Sequence, residues 1–233
     1  AVQFSPSVIK LSDFSVFHPA LDLLQEPFTI DGEIYGSLSH IQANGLMMKY
    51  GKSTCIAGNV AVRNLYPDSK KMNLVANVEK ISSNYSELSD LLWVALDRDI
   101  QLPKTLDSLG VISYRGTLNG DLSNMLSEGM ILSNMGTLNV SVAMNSQDLQ
   151  LNSYTVEGKV NTKDCHLNKV FGNASHLGNV AFNAEIILHK LADRNFRLKA
   201  LGAVDSFYYK NYCYENIRLD GNFDNSGFDG KLI

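Results

Sequence analysis

Charge is scarce in this chain of 233 residues: Asp, Glu, Lys and Arg make up only 19% and net charge is -4. Ordinary soluble domains carry about a quarter. Without a basic surplus there is no electrostatic footprint for nucleic acid, and no nucleic-acid partner is expected. Cysteine is nearly absent as well. Cys55, Cys165 and Cys213 lie far apart with no CxxC pair, which supports neither a disulfide framework nor a zinc ribbon and leaves the redox compartment open. No apolar run approaches the roughly 20 residues needed to cross a bilayer as a helix. The opening AVQFSPSVIK has neither an initiator Met nor a signal-peptide pattern, and the final FDGKLI stops inside what reads as a strand. The chain is therefore expected to be an internal piece of a longer protein.

Reactive constellations are missing too. His18, His40, His166, His176 and His189 lack HxH or HxxxH spacing, and the neighbours Cys165 and His166 would point to opposite faces of a strand. Asp220 to Asn225 begins like a calcium loop. Its sixth position is Asn225 rather than Gly, however, and Lys231 stands where the bidentate Glu belongs, so a hairpin turn fits better. There is no G-x-S-x-G and no phosphate-binding glycine loop. Carboxylates such as Asp97 with Asp99, or Asp121 with Glu128, fall in expected loops and read as solvated. Asn84, Asn139 and Asn173 open N-x-S triplets, a pattern common by chance. These absences point away from an enzyme, and no metal or cofactor is expected.

What the chain has in abundance is alternation. Leu138, Val140, Val142 and Met144, and then Tyr154, Val156, Gly158 and Val160, place apolar or small residues at every second position, the period of a strand with one dry face. A glycine two residues before an apolar side chain recurs at Gly116, Gly136, Gly158, Gly178, Gly202 and Gly221, in steps of 20, 22, 20, 24 and 19. Gly36 and Gly58 begin earlier copies. Two strands and their turns take roughly 20 residues, so each step is about one hairpin. Such a series makes a sandwich, a barrel or a long sheet extended in one direction.

In chain order, residues 3–17 suit an edge strand with Pro6, and 19–27 a short helical turn or loop. Strands are expected near 28–38, 44–49, 53–63 and 71–81, with turns at Asn44-Gly45 and at 50–52. Leu88, Leu91, Leu92 and Leu96 recur at helical spacing, so 86–96 is expected to be one helix capped by Ser83 or Ser86 and stopped by Pro103. From 110 the hairpins resume, broken by a loop or brief helix at 168–178, with turns at 193–195 and 224–227. The expected organisation is a β-hairpin section over 1–96 ending in the helix, a connector over 97–109, and a continuing hairpin section over 110–233.

The Gly-x-apolar hairpins, the inserted helix, and stretches such as PFTIDGEIYGSLSHIQANGLMMKYGKSTCIAGNVAV, LPKTLDSLGVISYRGTLNG and YKNYCYENIRLDGNFDNSGFDGKLI resemble the AsmA-like proteins of Gram-negative bacteria, specifically the TamB translocation and assembly module family in its Bacteroides-type form. The likeness covers most of 28–233 through short, degenerate motifs. It implies a mainly β fold: an elongated sheet of repeating hairpins curled into a taco-like hydrophobic groove, with one short inserted helix. It also implies a periplasmic section of a protein attached to the inner membrane through a segment outside this one. Such a section would hold acyl chains without enzymatic activity, supporting phospholipid transport or outer-membrane protein assembly. The partners implied are a phospholipid or other acyl-chain lipid and, through regions elsewhere, a TamA-like barrel.

On that likeness the groove would be lined in its first part by Ile34, Leu38, Ile56 and Val60, and in the central hairpins by Leu138, Val140, Val142, Met144, Val156 and Val160. Val180, Phe182, Ile186, Leu198 and Phe223 would continue it, and Leu88, Leu92 and Trp93 of the helix would cover one end, Leu92 and Trp93 facing inward. The same alternation fits an ordinary sandwich core. The tyrosine-rich stretch 207–214 keeps a second reading in play, a β-sandwich module binding glycan or protein.

Overall fold

The computed structural model describes residues 2–16, 19–37, 39–64, 72–96, 102, 104–121, 123–146, 153–172, 175–190 and 195–232. The protein is mainly β. Its strands are β1 (Val2–Lys10), β2 (Pro27–Ser37), β3 (His40–Tyr50), β4 (Thr54–Arg63), β5 (Asn73–Ser83), β6 (Ile112–Gly120), β7 (Asn124–Ser133) and β8 (Gly136–Asn145). They continue with β9 (Tyr154–His166), β10 (Leu177–Lys190), β11 (Phe196–Tyr209), β12 (Tyr212–Asp224) and β13 (Gly227–Leu232). Helix α1 (Tyr85–Leu96) follows β5, and the single turn α2 (Asn168–Phe171) follows β9. Strand order follows sequence order from β1 to β13 without a crossover, the sheet is not closed into a barrel, and the described pairings are antiparallel. The strands are joined in series as expected, but one glycine step is not one hairpin throughout. Gly36 to Gly58 and Gly116 to Gly136 advance by two strands, whereas Gly136, Gly158, Gly178, Gly202 and Gly221 fall on the consecutive strands β8 to β12, of which β9 to β12 are 13 or 14 residues long.

The chain divides into two compact units, Ala1–Gly116 and Thr117–Ile233, which part within β6. In the first unit, residues opposite one another share a face, and one face carries Ile30–Met48–Ile56–Ile81, Leu46–Gly58–Val78, Ile34–Ala43–Val60–Ala76 and Ile41–Val62–Leu74 as rows across the strands. Ala43, Leu46, Ala76 and Val78 of these rows are buried. Tyr50 is 2% exposed and Leu24 1%.

Strands in this unit bend where one of them carries an extra residue. Asn44 and Gly45, expected as a turn, lie inside β3, where the pairing to both neighbours shifts. Gly45 has φ 57 and its N–H donates to Asn59 Oδ1 at 2.9 Å. Positive φ serves a bulge here rather than a reversal; the turn from β2 to β3 falls at residues 37–40. A second shift separates Ala57 from Gly58 against β5.

Helix α1 begins one residue earlier than its leucine spacing suggests, and its cap is neither Ser83 nor Ser86. Asn84 Oδ1 accepts the Glu87 backbone N–H at 2.8 Å, the geometry of an N-cap with an acidic residue three positions on. The helix rests on the 3₁₀ segments Pro19–Leu23 and Lys104–Leu109, and the Tyr85 hydroxyl donates to the Leu102 carbonyl at 3.2 Å. The stretches 65–71, 97–101 and 191–194 lie outside the described residues, and with them most of the turn expected at 193–195. At the other end, Asp224 Oδ1 accepts from the N–H groups of Ser226 and Gly227, so 224–227 is a carboxylate-capped turn.

In the second unit, β7 to β12 repeat one scheme. Met125–Met144–Val156–Leu188–Leu198–Phe223 lie opposite one another in one row. Next to it run Ser127–Val142–Gly158–Ile186–Ala200–Gly221, then Gly129–Val140–Val160–Ala184–Gly202–Leu219. The Gly-x-apolar motif now has a structural meaning. Glycine and the apolar residue two positions on share one face, and two adjacent rows along that face are built largely from small residues.

Two of these glycines cannot carry a side chain. A Cβ on Gly158 would stand 2.2 Å from the Ser141 carbonyl oxygen, and one on Gly202 would stand 2.2 Å from that of Asn183. Gly158 also has φ 146. Glycine inside a strand marks a bend or a close backbone approach, and here it is the close approach.

Candidate functional site

The apolar face of the second unit is the strongest candidate surface. Leu138, Val140, Val142, Met144, Val156, Val160, Val180, Phe182, Ile186, Leu198 and Phe223 are all placed on it by the strand register. Ile34, Ile56 and Val60 fall together on one face of the first unit. Leu38 lies outside the described residues. The sequence expectation did not include Met125, Ile131, Ala184, Leu188, Ala200, Val204, Ile217 and Leu219, which lie on the same face. Their parity within each strand was readable from sequence. The register that aligns them with their neighbours was not.

Burial separates this face from a sandwich core. A facing sheet would hide the stripe, yet Val140, Val142, Met144, Val156, Ile186 and Leu198 are half-buried, and only Val160 and Val180 among the expected lining are buried. No second sheet occurs among the described residues. Among the described residues the sandwich architecture of the alternative reading is not formed.

The opposite face carries the charges, with Leu126, Met130, Leu132, Ile187 and Leu201 exposed among them. Glu128–Ser141–Lys159–Glu185–Leu201–Asp220 form one row and Asn139–Asn161–Asn183 another, with Asn139 Nδ2 donating to Asn161 Oδ1 at 3.0 Å. Lys159 and Glu185 approach to 3.7 Å with both side chains about two-thirds exposed, an ion pair worth little in water. A depression of about 790 Å³ lies on this side, where Leu126, Ala143, Ile187 and Leu201 stand among Glu128, Glu157, Lys159, Glu185 and Lys199. An apolar tail laid there would strip water from several charges, a cost that the uncharged rows of the other face do not impose.

At α1, Leu88 and Leu92 are half-buried, while Trp93, expected to face inward with Leu92, is 42% exposed. What fixes the helix is Glu87. Its carboxylate accepts the backbone N–H groups of Lys52 at 3.0 Å, Ser53 at 3.2 Å and Thr54 at 2.7 Å, and the Thr54 hydroxyl at 2.6 Å. Burial by itself raises the Glu87 pKa, but the donors of Thr54, Lys52 and Ser53 outweigh it and hold the carboxyl below its ordinary value. One turn along the helix, burial followed by the Glu87 charge pushes Asp90 up. Burial also pushes up the phenol of Tyr50. This cluster is a structural clamp on the β3–β4 turn.

Among the described residues no group of three or more His, Cys, Asp or Glu is placed to hold a metal. Cys165 is 4% exposed, and burial, then the neighbouring Asp164 charge, raises its thiol pKa, which suits an inert thiol. All three cysteines are free. No helix among the described residues is long and apolar enough to cross a membrane. Compared with known protein families, curated proteins and solved structures, the chain matches none.

Proposed function

We propose that this chain is a non-enzymatic section of an AsmA/TamB-like protein, whose apolar sheet face holds acyl chains and so supports phospholipid transport or outer-membrane protein assembly. The observation that carries the reading is the run of apolar and small side chains that crosses β7 to β12 in adjacent rows without a charge. Five strands from β8 to β12 span about 19 Å at the usual strand separation, a distance on the scale of an extended acyl chain. Each methylene moved from water onto such a surface gains about 0.8 kcal/mol, so ten of them gain at most about 8 kcal/mol before the cost of ordering the chain. Hydrocarbon needs no hydrogen-bond partner, which fits rows that carry no charge and few polar side chains.

The small residues have a part in this reading. Gly158, Ala200, Gly202 and Gly221 lower the middle of the face, and Met144, Val156, Leu188, Leu198 and Phe223 stand beside them as one wall, with Leu138, Phe182, Val204 and Ile217 as the other. A chain lying across the strands would rest on the low rows between two taller ones. The taco-like groove, a periplasmic location, attachment to the inner membrane outside this section, and a TamA-like barrel as partner belong to the same proposal through the family likeness.

The test is extraction of the purified protein with organic solvent, followed by mass spectrometry. Phospholipid or fatty acid at near-stoichiometric amounts is expected, and replacing Val142 and Val160 by Glu should remove most of it. Absence of lipid from the unmodified chain, under conditions where a known acyl-binding protein retains its own, would overturn the proposal.

A further inference from the structure

Antiparallel strands in sequence order bring every second connection to the same end of a sheet. In the second unit this sets the β7–β8 turn, the segment joining β9 to β10 and the β11–β12 turn side by side. Backbone hydrogen bonds lace them together: the His166 N–H donates to the Met135 carbonyl at 2.6 Å, that of Leu167 to the Gly178 carbonyl at 3.1 Å, and that of Lys210 to the His176 carbonyl at 3.0 Å. Leu132, Phe171, Tyr208, Tyr212 and Tyr214 are exposed along this end, Tyr212 by 64% and Phe171 by 60%. Single apolar residues scattered over a surface need no explanation, but five on neighbouring connections form a patch of the kind that marks an interaction site.

We propose that this end of the second unit docks on an anionic bilayer surface, with its aromatic rings at the depth of the lipid headgroups. None of the five side chains belongs to the apolar rows of β7 to β12, so the inference is independent of the acyl-chain reading.

The β11–β12 hairpin decides between a bilayer and a flat ligand. Phe207 stands opposite Tyr214 and Tyr209 opposite Tyr212 on one of its faces, while Tyr208 stands opposite Cys213 on the other. Tyrosines exposed on both faces cannot stack on one sugar, whereas a hairpin tip pushed into an interface is surrounded on every side. Tyrosine suits that depth, because its ring is apolar and its hydroxyl stays among polar headgroups. On the first face the rings pack on one another: Tyr212 and Tyr214 meet edge to face with centroids 4.8 Å apart, and Tyr214 lies 6.4 Å from Phe207. From the turn back to the Phe207–Tyr214 pair is about 10 Å at the usual strand rise, comparable to the depth that interfacial segments reach.

Charge supplies the preference for anionic lipid. The stretches 131–138, 166–178 and 207–214 contain Lys169 and Lys210 and no Asp or Glu. Asp164, Asp205 and Glu215 come further back along their strands. Among the described residues, the turns at the opposite end hold carboxylates instead, Asp121 and Asp224. The Lys210 ammonium lies 5.4 Å from the centre of the Tyr209 ring, so its stem runs along the aromatic face and its charge stays beside the tip. Cations among aromatic rings at an acid-free end are drawn to negative headgroups.

The experiment floats the whole chain on a density gradient with vesicles of phosphatidylcholine, either alone or with one part phosphatidylglycerol to two. Flotation with the mixed vesicles is expected, with partition about tenfold weaker for the neutral ones. Phe171→Ser combined with Tyr212→Ser should lower partition into the mixed vesicles about tenfold, with the thermal midpoint unchanged. Lys169→Gln with Lys210→Gln should remove most of the difference between the two vesicle types, and Leu201→Ser, exposed within β11 away from the turns, should alter nothing. A chain that stays in the aqueous fraction with mixed vesicles overturns the proposal, including one that is captured by immobilised sugar instead. So does flotation indifferent to the Phe171 and Tyr212 changes, or equally reduced by Leu201→Ser. Val142→Glu with Val160→Glu should remove extractable lipid and leave flotation unchanged, so this proposal and the acyl-chain reading fail separately.

Discussion

Glu87 reaches from the first turn of α1 to Thr54, whose backbone N–H and hydroxyl both donate to Glu87 Oε2, at 2.7 Å and 2.6 Å. This pair joins two elements 33 residues apart in sequence. The turn preceding Thr54 is shaped to receive the carboxylate, because a Cβ on Gly51 would stand 2.8 Å from the Glu87 carboxyl carbon.

Replacing Glu87 by Gln should therefore destabilise the first unit, since an amide NH₂ would face backbone donors that now meet a charge. Hydrogen bonds to charged groups contribute about 1.5–3 kcal/mol each in net terms, and partial exposure reduces that, so a loss of about 1–3 kcal/mol overall is expected in urea unfolding. The pH dependence follows from the direction of the shift. With a folded pKa below the unfolded value, the stabilisation is complete above about pH 4.3 and is lost as pH falls through the folded pKa. The Gln variant should lack that acid-side loss.

Asp90 has the opposite sign. Burial and the Glu87 charge raise its folded pKa above the unfolded value of about 3.9, so its ionised form opposes folding at neutral pH. Asp90→Asn should raise the thermal midpoint at pH 7. The gain should shrink as pH falls through the raised folded pKa and vanish below the unfolded one, as a series of melts from pH 7 to pH 3 would reveal. An equal gain at every pH would show that charge is not the cause.

Gly158 and Gly202 should resist even the smallest side chain. Ala at either position meets a carbonyl oxygen at 2.2 Å, so the adjoining strand must move. A loss of about 1–3 kcal/mol is expected from such overpacking, measured by chemical denaturation. Ala203→Ser, one residue beyond Gly202 on the exposed face, should change stability by less than about 0.5 kcal/mol.

Much of this fold was readable from the residues. Alternation at Leu138–Met144 and Val156–Val160 gave the strands and their inward parity, because a strand's period of two is fixed by backbone geometry. The leucine spacing at 88, 91, 92 and 96 located α1. The failures have physical causes. Asn44-Gly45 carries a turn signal, but positive φ is equally the requirement of a bulge, and only pairing on both sides of β3 distinguishes the two. The cap at Asn84 was overlooked in favour of serines because its identity depends on where the first helical N–H groups point. The clamp at Glu87 joins residues distant in sequence, and no local pattern announces it.

The lipid reading depends on which side of the sheet meets hydrocarbon, and adjacent residues report on the two sides. Ser141 and Val142 are consecutive in β8, so their side chains point to opposite faces. A photoreactive phenylalanine analogue placed at each position in turn, irradiated in cells and followed by mass spectrometry of the protein, would capture whatever lies against that face. Phospholipid adducts at Val142 with few or none at Ser141 are expected. Adducts equally frequent at both positions, or confined to Ser141, would contradict the apolar face as the lipid-bearing surface.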